Sequence, residues 1–341
     1  MGLFINYPAW MDPYVIDGLP VRWYAVMYIV AFGITYLLFK WQIKHDDYLK
    51  MSGDDGDMLF FWCILGLILG ARIFSCIFYD DSYYYITHPW MMFWPFRNGR
   101  FVGLPGMSYH GGAFGCFVAG YFYCRKKKYD ILRVTDVLVT GIPLGYTFGR
   151  LGNFINAELY GRVTTSSIGM LFPGAEGFST THQWVRNAAD AVGIGYSYGD
   201  IVNLPRHPSQ LYEAFFEGIV LFIILWFILR PLKYRHGWKD GTLFSAYIFG
   251  YGFFRFFIEY FREPDANLGY VIAGGPGSEN IALFTSMLNI SKGQVFCLIM
   301  VALSILLLIY VNCFRKPKFA EEEKQNGKRK NTASEKKAGR K

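Results

Sequence analysis

Val295-Phe-Cys-Leu-Ile-Met-Val-Ala-Leu-Ser-Ile-Leu-Leu-Leu-Ile-Tyr-Val-Asn-Cys-Phe314 runs for twenty residues without a single charge. As a helix it reaches about 30 Å, the thickness of the hydrocarbon core of a bilayer. No polar face interrupts it, so it suits a lipid environment better than the surface of a soluble domain. Comparable blocks recur upstream, near Trp23–Phe39, Met58–Phe78, Tyr109–Tyr123, Val134–Ile155, Ala214–Leu229 and Thr242–Phe261. The third and fourth are Gly-rich, and Pro143 interrupts the fourth, a break that neighbouring helices can satisfy. Composition agrees: of 341 residues, 53% are hydrophobic and 18% charged, against about 25% charged in a soluble domain. The expected fold is an all-α membrane protein with about seven transmembrane helices.

Charge orients it. Of 34 Lys and Arg, 23 fall in one set of alternate loops and the tail, from Lys40, Lys44 and Lys50 through Arg125–Lys128 to the residues after Phe314. The opposite set holds eight, and Arg72, Arg150 and Arg255 lie within spans. The positive-inside rule then puts the N-terminus outside and the C-terminus in the cytoplasm. Residues 1–314 read as one polytopic domain. Residues 157–212 form an extracytoplasmic head segment and residues 263–292 a second outer loop. Residues 315–341 carry eleven basic and four acidic side chains and read as a disordered cytoplasmic tail. That tail could also attract anionic lipid head groups. No folded basic patch accompanies it, so nucleic acid is not an expected partner. The first 22 residues lack the pattern of a cleavable signal peptide. The six cysteines lie in or at the ends of spans without metal spacing, so they are expected as small buried residues, with no metal site.

Ionisable residues inside a membrane are costly and mark functional sites by default. The topology places Arg72 in the outer half of span two and His110 near the outer end of span three. Arg150, Asn153 and Asn156 end span four, with Glu158 just beyond. His207, Gln210, Glu213 and Glu217 open span five; Arg255, Glu259 and Arg262 end span six; Tyr24 opens span one. Polar groups of six spans thus converge on one level. Arg255 precedes Arg262 by seven residues, about 10 Å of helix. Glu259 shares their face at i+4 and i+3, so one carboxylate can hold both guanidinium groups. Arginines at that depth suit a phosphate, which guanidinium grips with two parallel hydrogen bonds. Each residue also has a plainer reading. Arg255 and Glu259 could be a structural ion pair, Arg72 could snorkel, His110 could be a satisfied core histidine, and Glu213 and Glu217 could anchor helix five.

The run Gly149-Arg150-Leu151-Gly152-Asn153-Phe154-Ile155-Asn156-Ala157-Glu158-Leu159-Tyr160-Gly161-Arg162 resembles the signature of the prolipoprotein diacylglyceryl transferase family. Further matches lie in register. They are Trp23-Tyr24, Gly70-Ala71-Arg72, Tyr109-His110-Gly111-Gly112, Met170-Leu171-Phe172-Pro173-Gly174, and His207-Pro208-Ser209-Gln210-Leu211-Tyr212-Glu213. Tyr251-Gly252-Phe253-Phe254-Arg255 follows, with Glu259, Arg262 and Pro264-Asp265. The likeness covers about residues 8–265 and the last span. It departs in the lengthened loop from Asn267 to about Ser291 and in the basic tail.

The resemblance implies seven helices with an extracytoplasmic head, in a bacterial inner membrane, with the site toward the outer leaflet. It implies transfer of the diacylglyceryl group of phosphatidylglycerol to the lipobox cysteine thiol of a preprolipoprotein, with glycerol phosphate leaving. Partners are therefore that lipid, that signal peptide and the bilayer. No cofactor is implied. On this reading Arg150 and Arg255 stabilise the leaving phosphate, and His110 is the candidate base for the thiol. Asn153, Glu158 and Tyr24, with Gly161 and Arg72, bind the lipid or orient the arginines. Glu259, Arg262, Asn156 and Gly111 support them, Gly111 and Gly112 leaving room beside His110 for a substrate. A secondary transporter would show repeat symmetry and charges near the midplane; a non-catalytic lipid-binding scaffold would need the arginines and no histidine.

Overall fold

The computed structural model describes residues 4–16, 22–80, 82–97, 99–101, 103, 106–263 and 269–315. The tail beyond Arg315 and the Pro264-Asp265 match lie outside the described residues. The chain forms two compact units, Phe39–Thr135 and the remainder, Met1–Leu38 with Asp136–Lys341.

All seven expected segments are helical. Four helices are long and apolar enough to cross a membrane: Trp23–His45, Gly53–Phe78, Ser209–His236 and Lys292–Phe314. A fifth is added if Ile131–Val139 and Ile142–Ile155 count as one span, bent by 50°. Pro143 sits in the first turn of the second half, where its missing N–H leaves no hydrogen bond broken, so the chain restarts a helix there after the bend. Thr242–Ile258 is apolar but only 17 residues long.

In the unit Phe39–Thr135, helices Gly53–Phe78 and Tyr109–Lys126 approach along a stripe of glycines. A Cβ on Gly70 would lie 2.4 Å from the Gly111 carbonyl oxygen, and one on Gly115 2.1 Å from that of Gly66. Small residues let two membrane helices touch backbone to backbone. The same packing corrects the reading of Gly111. A Cβ there would meet Phe74 at 2.2 Å, so the space beside it is filled by a neighbouring helix and is not left for substrate.

In the larger unit, Ile142–Ile155 packs on Trp23–His45 and on Ser209–His236. A Cβ on Gly145 would meet the Ala31 carbonyl at 2.7 Å, and one on Gly218 would meet Thr147 at 2.1 Å. Helix Ser209–His236 widens into π-helix over Ala214–Val220 and Ile224–Leu229, a distortion that tends to accompany functional sites. At its far end Lys233 Nζ donates to Asp136 Oδ2 at 2.6 Å. Asp136 also accepts from the backbone N–H groups of Gly241 at 2.7 Å and Phe244 at 2.8 Å, so a buried ion pair fixes the start of helix Thr242–Ile258.

The expectation of an all-helical chain needs one amendment, because the segments outside the long helices contain short strand pairs. Ile5–Asn6 runs parallel to Met170–Leu171, and Phe178–Ser179 is antiparallel to Ile201–Val202. Helix Gln183–Val192 lies within residues 157–212. It joins a small core of Val163, Val185, Ala188, Ala189, Val202 and Leu204, and Gly193 ends it at φ +74°. Arg162, fully buried, donates to the carbonyl of Arg262 and stitches this segment to the lengthened loop through the carbonyls of Ile281 and Leu283 and the Tyr270 hydroxyl.

Candidate functional site

Arg150 and Arg255 come from helices Ile142–Ile155 and Thr242–Ile258 and meet at one oxygen atom. Glu213 Oε2 lies 2.9 Å from Arg150 Nε and 2.6 Å from Arg255 Nη1. The Glu213 side chain is completely buried, while the arginines keep 18% and 12% of theirs exposed. The carboxylate is therefore the inner anchor, and each guanidinium group turns one nitrogen toward it and keeps part of its surface exposed. One carboxylate between two guanidinium groups leaves that trio with a surplus positive charge. Arg255 is also 3.6 Å from Glu217 Oε1 and 3.5 Å from Glu259 Oε2.

The expected Arg255–Glu259–Arg262 face exists, but it is the looser part of the network. Arg262 Nη1 is 4.0 Å from Glu259 Oε2, and Glu259 also accepts from Ser291 Oγ at 3.2 Å. Gly293 leaves room for the Glu259 carboxylate, since a Cβ there would fall 2.5 Å from its Oε1. The tight partner of Arg255 lies on another helix. Glu213 and Glu217, which could have been mere anchors of helix five, are thus part of the arginine network. Tyr146 is a member that sequence reading missed. Its hydroxyl accepts from Arg150 Nε at 2.7 Å and donates to Glu217. The available signal was its position four residues before Arg150, on the same helix face.

Beyond Arg150 the chain leaves its helix in a tight polar turn. Arg150 Nη1 reaches Asn153 Oδ1 at 3.5 Å, and Asn153 Nδ2 donates to Glu158 Oε1 at 2.8 Å. Asn156 Nδ2 lies 3.5 Å from the same oxygen. Gln210 Nε2 donates to the Glu158 carbonyl at 2.7 Å. Ala157 and Leu159 take φ of +52° and +56°, a region that costs any residue with a Cβ. These bonds hold the strained turn and aim the Glu158 carboxylate back at the helix end. Tyr24 donates to Tyr28 at 2.9 Å and lies within electrostatic reach of Glu158 and Arg150.

Gly161 has a backbone role. Its N–H donates to the His207 carbonyl at 2.8 Å, and a Cβ would lie 2.2 Å from the Phe261 oxygen. Only a residue without a side chain lets these three strands of chain meet. Beside it the His207 imidazole is held neutral, because burial pushes its pKa down to about 4.

Arg72, His110 and Gly111 belong to the other unit. Arg72 does not snorkel, because it is only 1% exposed. Its Nε donates to the Met92 carbonyl at 2.5 Å, Nη1 to Gly106 at 3.2 Å, and Nη2 lies 3.4 Å from the Tyr85 hydroxyl, so loop carbonyls satisfy it where it stands. His110 is exposed in the first turn of Tyr109–Lys126, whose cap is Ser108 accepting from the Gly111 N–H at 3.2 Å.

Comparison with known proteins matches the sequence to a family. The family profile described as prolipoprotein diacylglyceryl transferase covers residues 13–310. The chain is 50% identical over 330 residues to the phosphatidylglycerol–prolipoprotein diacylglyceryl transferase of Treponema denticola, covering 91% of this chain and 96% of that protein. The enzyme of the same name from Treponema pallidum is 47% identical, over 88% of this chain and 92% of its own length. That of Chlorobaculum tepidum is 43% identical, over 89% and 91%. The chain belongs to the prolipoprotein diacylglyceryl transferase family.

Proposed function

We propose, from that membership, that the chain transfers the diacylglyceryl group of phosphatidylglycerol to the lipobox cysteine of preprolipoproteins, the first step of bacterial lipoprotein maturation. The thiol sulfur forms a bond to the glycerol carbon of the diacylglyceryl group. The bond from that carbon to the phosphate oxygen breaks, glycerol phosphate leaves, and the thiol proton passes to a base. The observation that carries the reading is the Arg150–Glu213–Arg255 trio, two guanidinium groups from separate helices joined at one buried oxygen. The phosphate gains charge as its oxygen leaves, and fixed cations in a site shielded from water stabilise that charge without reorganising. Arginine stays protonated, so Arg150 and Arg255 act as electrostatic ligands and not as acids.

Asn153, Asn156 and Glu158 form a polar rim beside Arg150 that would orient the head group, with Tyr24 at its edge. Glu259 and Arg262 support Arg255, and Gly161 keeps the chain close enough for the rim to form. The role of Arg72 is to hold the loop that carries the Met92 and Gly106 carbonyls. His110 is our base on the strength of its motif and its exposed ring. The membrane arrangement we favour has seven spans in the bacterial inner membrane, the N-terminus outside and the C-terminus inside. In it residues 157–212 are an extracytoplasmic head, residues 263–292 a second outer loop, residues 315–341 a cytoplasmic tail, and the site opens to the outer leaflet.

Turnover of Arg150→Lys and Arg255→Lys tests the phosphate site. An ammonium is a point charge and cannot grip two phosphate oxygens in one plane, so each variant should lose most of its activity. Near-normal activity in both would reduce the trio to a structural ion pair.

A further inference from the structure

We propose that Tyr146 is a positioning residue that sets the direction in which Arg150 presents its guanidinium edge. This rests on Arg150 being a phosphate ligand.

A guanidinium group has five N–H donors in one plane. Arg150 uses its Nε inward, toward the Tyr146 hydroxyl at 2.7 Å and Glu213 Oε2 at 2.9 Å. That leaves the Nη edge turned toward Asn153 and the polar turn. The hydroxyl is itself held, since it donates to Glu217, and its oxygen lies 3.4 Å from Glu213 Oε2. The Arg150 guanidinium carbon also stands 4.9 Å from the centre of the Tyr146 ring, and the ring meets Tyr251 edge-on at 5.9 Å. Tyr146 therefore fixes Arg150 by one face and one edge. Glu213 alone would fix only a point, about which the planar group could swing. The π-helical stretch beginning at Ala214 carries Glu217, the carboxylate that receives the Tyr146 hydrogen.

Tyr146→Phe keeps the ring, its edge contact and its place beside Arg150, and removes only the hydroxyl. With phosphatidylglycerol in mixed micelles and a lipobox peptide, kcat/KM of the folded variant should fall about 10- to 100-fold. A residue acting through Arg150 should cost almost nothing once Arg150 is gone. Y146F placed in an Arg150→Lys background should therefore change kcat/KM by less than about twofold. Glu217→Leu withdraws the hydroxyl's acceptor from the other side and should show the same dependence on Arg150, which keeps the test open should Y146F not fold. An equal loss in both backgrounds, or Y146F within about twofold of the parent, overturns the proposal. Near-parental turnover in R150K alone overturns the phosphate-site reading beneath it, an outcome visible before Y146F is made.

Discussion

Glu213→Gln keeps the shape of a buried side chain and removes the one negative charge that both site arginines share. The parent carboxylate is 2.9 Å from Arg150 and 2.6 Å from Arg255 and has no solvent exposure. A Gln oxygen can still accept a hydrogen bond, but two guanidinium groups would then face each other without the charge between them. Leaving a buried charge unpaired costs about 3–5 kcal/mol. Arg255 retains Glu217 at 3.6 Å and Glu259 at 3.5 Å, whereas Arg150 retains the neutral Tyr146 hydroxyl. The expected loss is therefore about 3 kcal/mol, at the lower end of that range, with turnover down by about 100-fold as the guanidinium groups separate. Denaturant unfolding in mild detergent at neutral pH gives the first figure, and thioether formation on a lipobox peptide gives the second. A loss below about 1 kcal/mol with turnover within threefold of the parent would refute the shared-carboxylate account.

Gly161→Ala should destabilise by about 1–3 kcal/mol and lower activity, because the new Cβ would sit 2.2 Å from the Phe261 oxygen; a neutral result in thermal unfolding would remove the need for a bare backbone there. His207 binds a proton near pH 6.5 when unfolded and only near pH 4 when folded, so stability is full above about pH 6.5 and declines as pH falls toward 4. Comparing midpoints at pH 7 and pH 5 should show that decline in the parent and a smaller one in His207→Gln; equal slopes would assign the pH dependence elsewhere. Alkaline phosphatase inserted near Gly275 should be active and the same enzyme fused after Lys341 inactive, and the reverse pattern would move the site to the cytoplasmic leaflet.

Much of the helical framework was legible because apolar length and glycine punctuation are local signals. The Pro143 break could be read directly, as could the grouping of Arg150, Asn153 and Glu158 at one helix end. Pairing across helices could not. The i+4 rule selects Glu259 for Arg255, yet Glu213 wins because Gly218 lets helix Ser209–His236 press against Thr147, close beside Tyr146 and Arg150. Tyr146 carried a local signal in its i+4 spacing to Arg150, but its bond across to Glu217 did not. The snorkelling alternative for Arg72 could not be set aside from sequence, because the carbonyls that satisfy it, Met92 and Gly106, lie 20 and 34 residues away. Gly111 looked like room for a substrate, and only the packing of Phe74 shows what fills it.

The most direct test of the central claim uses purified protein, phosphatidylglycerol labelled separately in the glycerol of its diacylglyceryl group and in its phosphate, and a peptide with a single lipobox cysteine. The account predicts that the glycerol label moves to the peptide through a thioether stable to mild base, while the phosphate label appears as water-soluble glycerol phosphate in equal amount. Glycerol label lost from the peptide on mild base treatment, phosphate label retained on the peptide, or no transfer at all would contradict it.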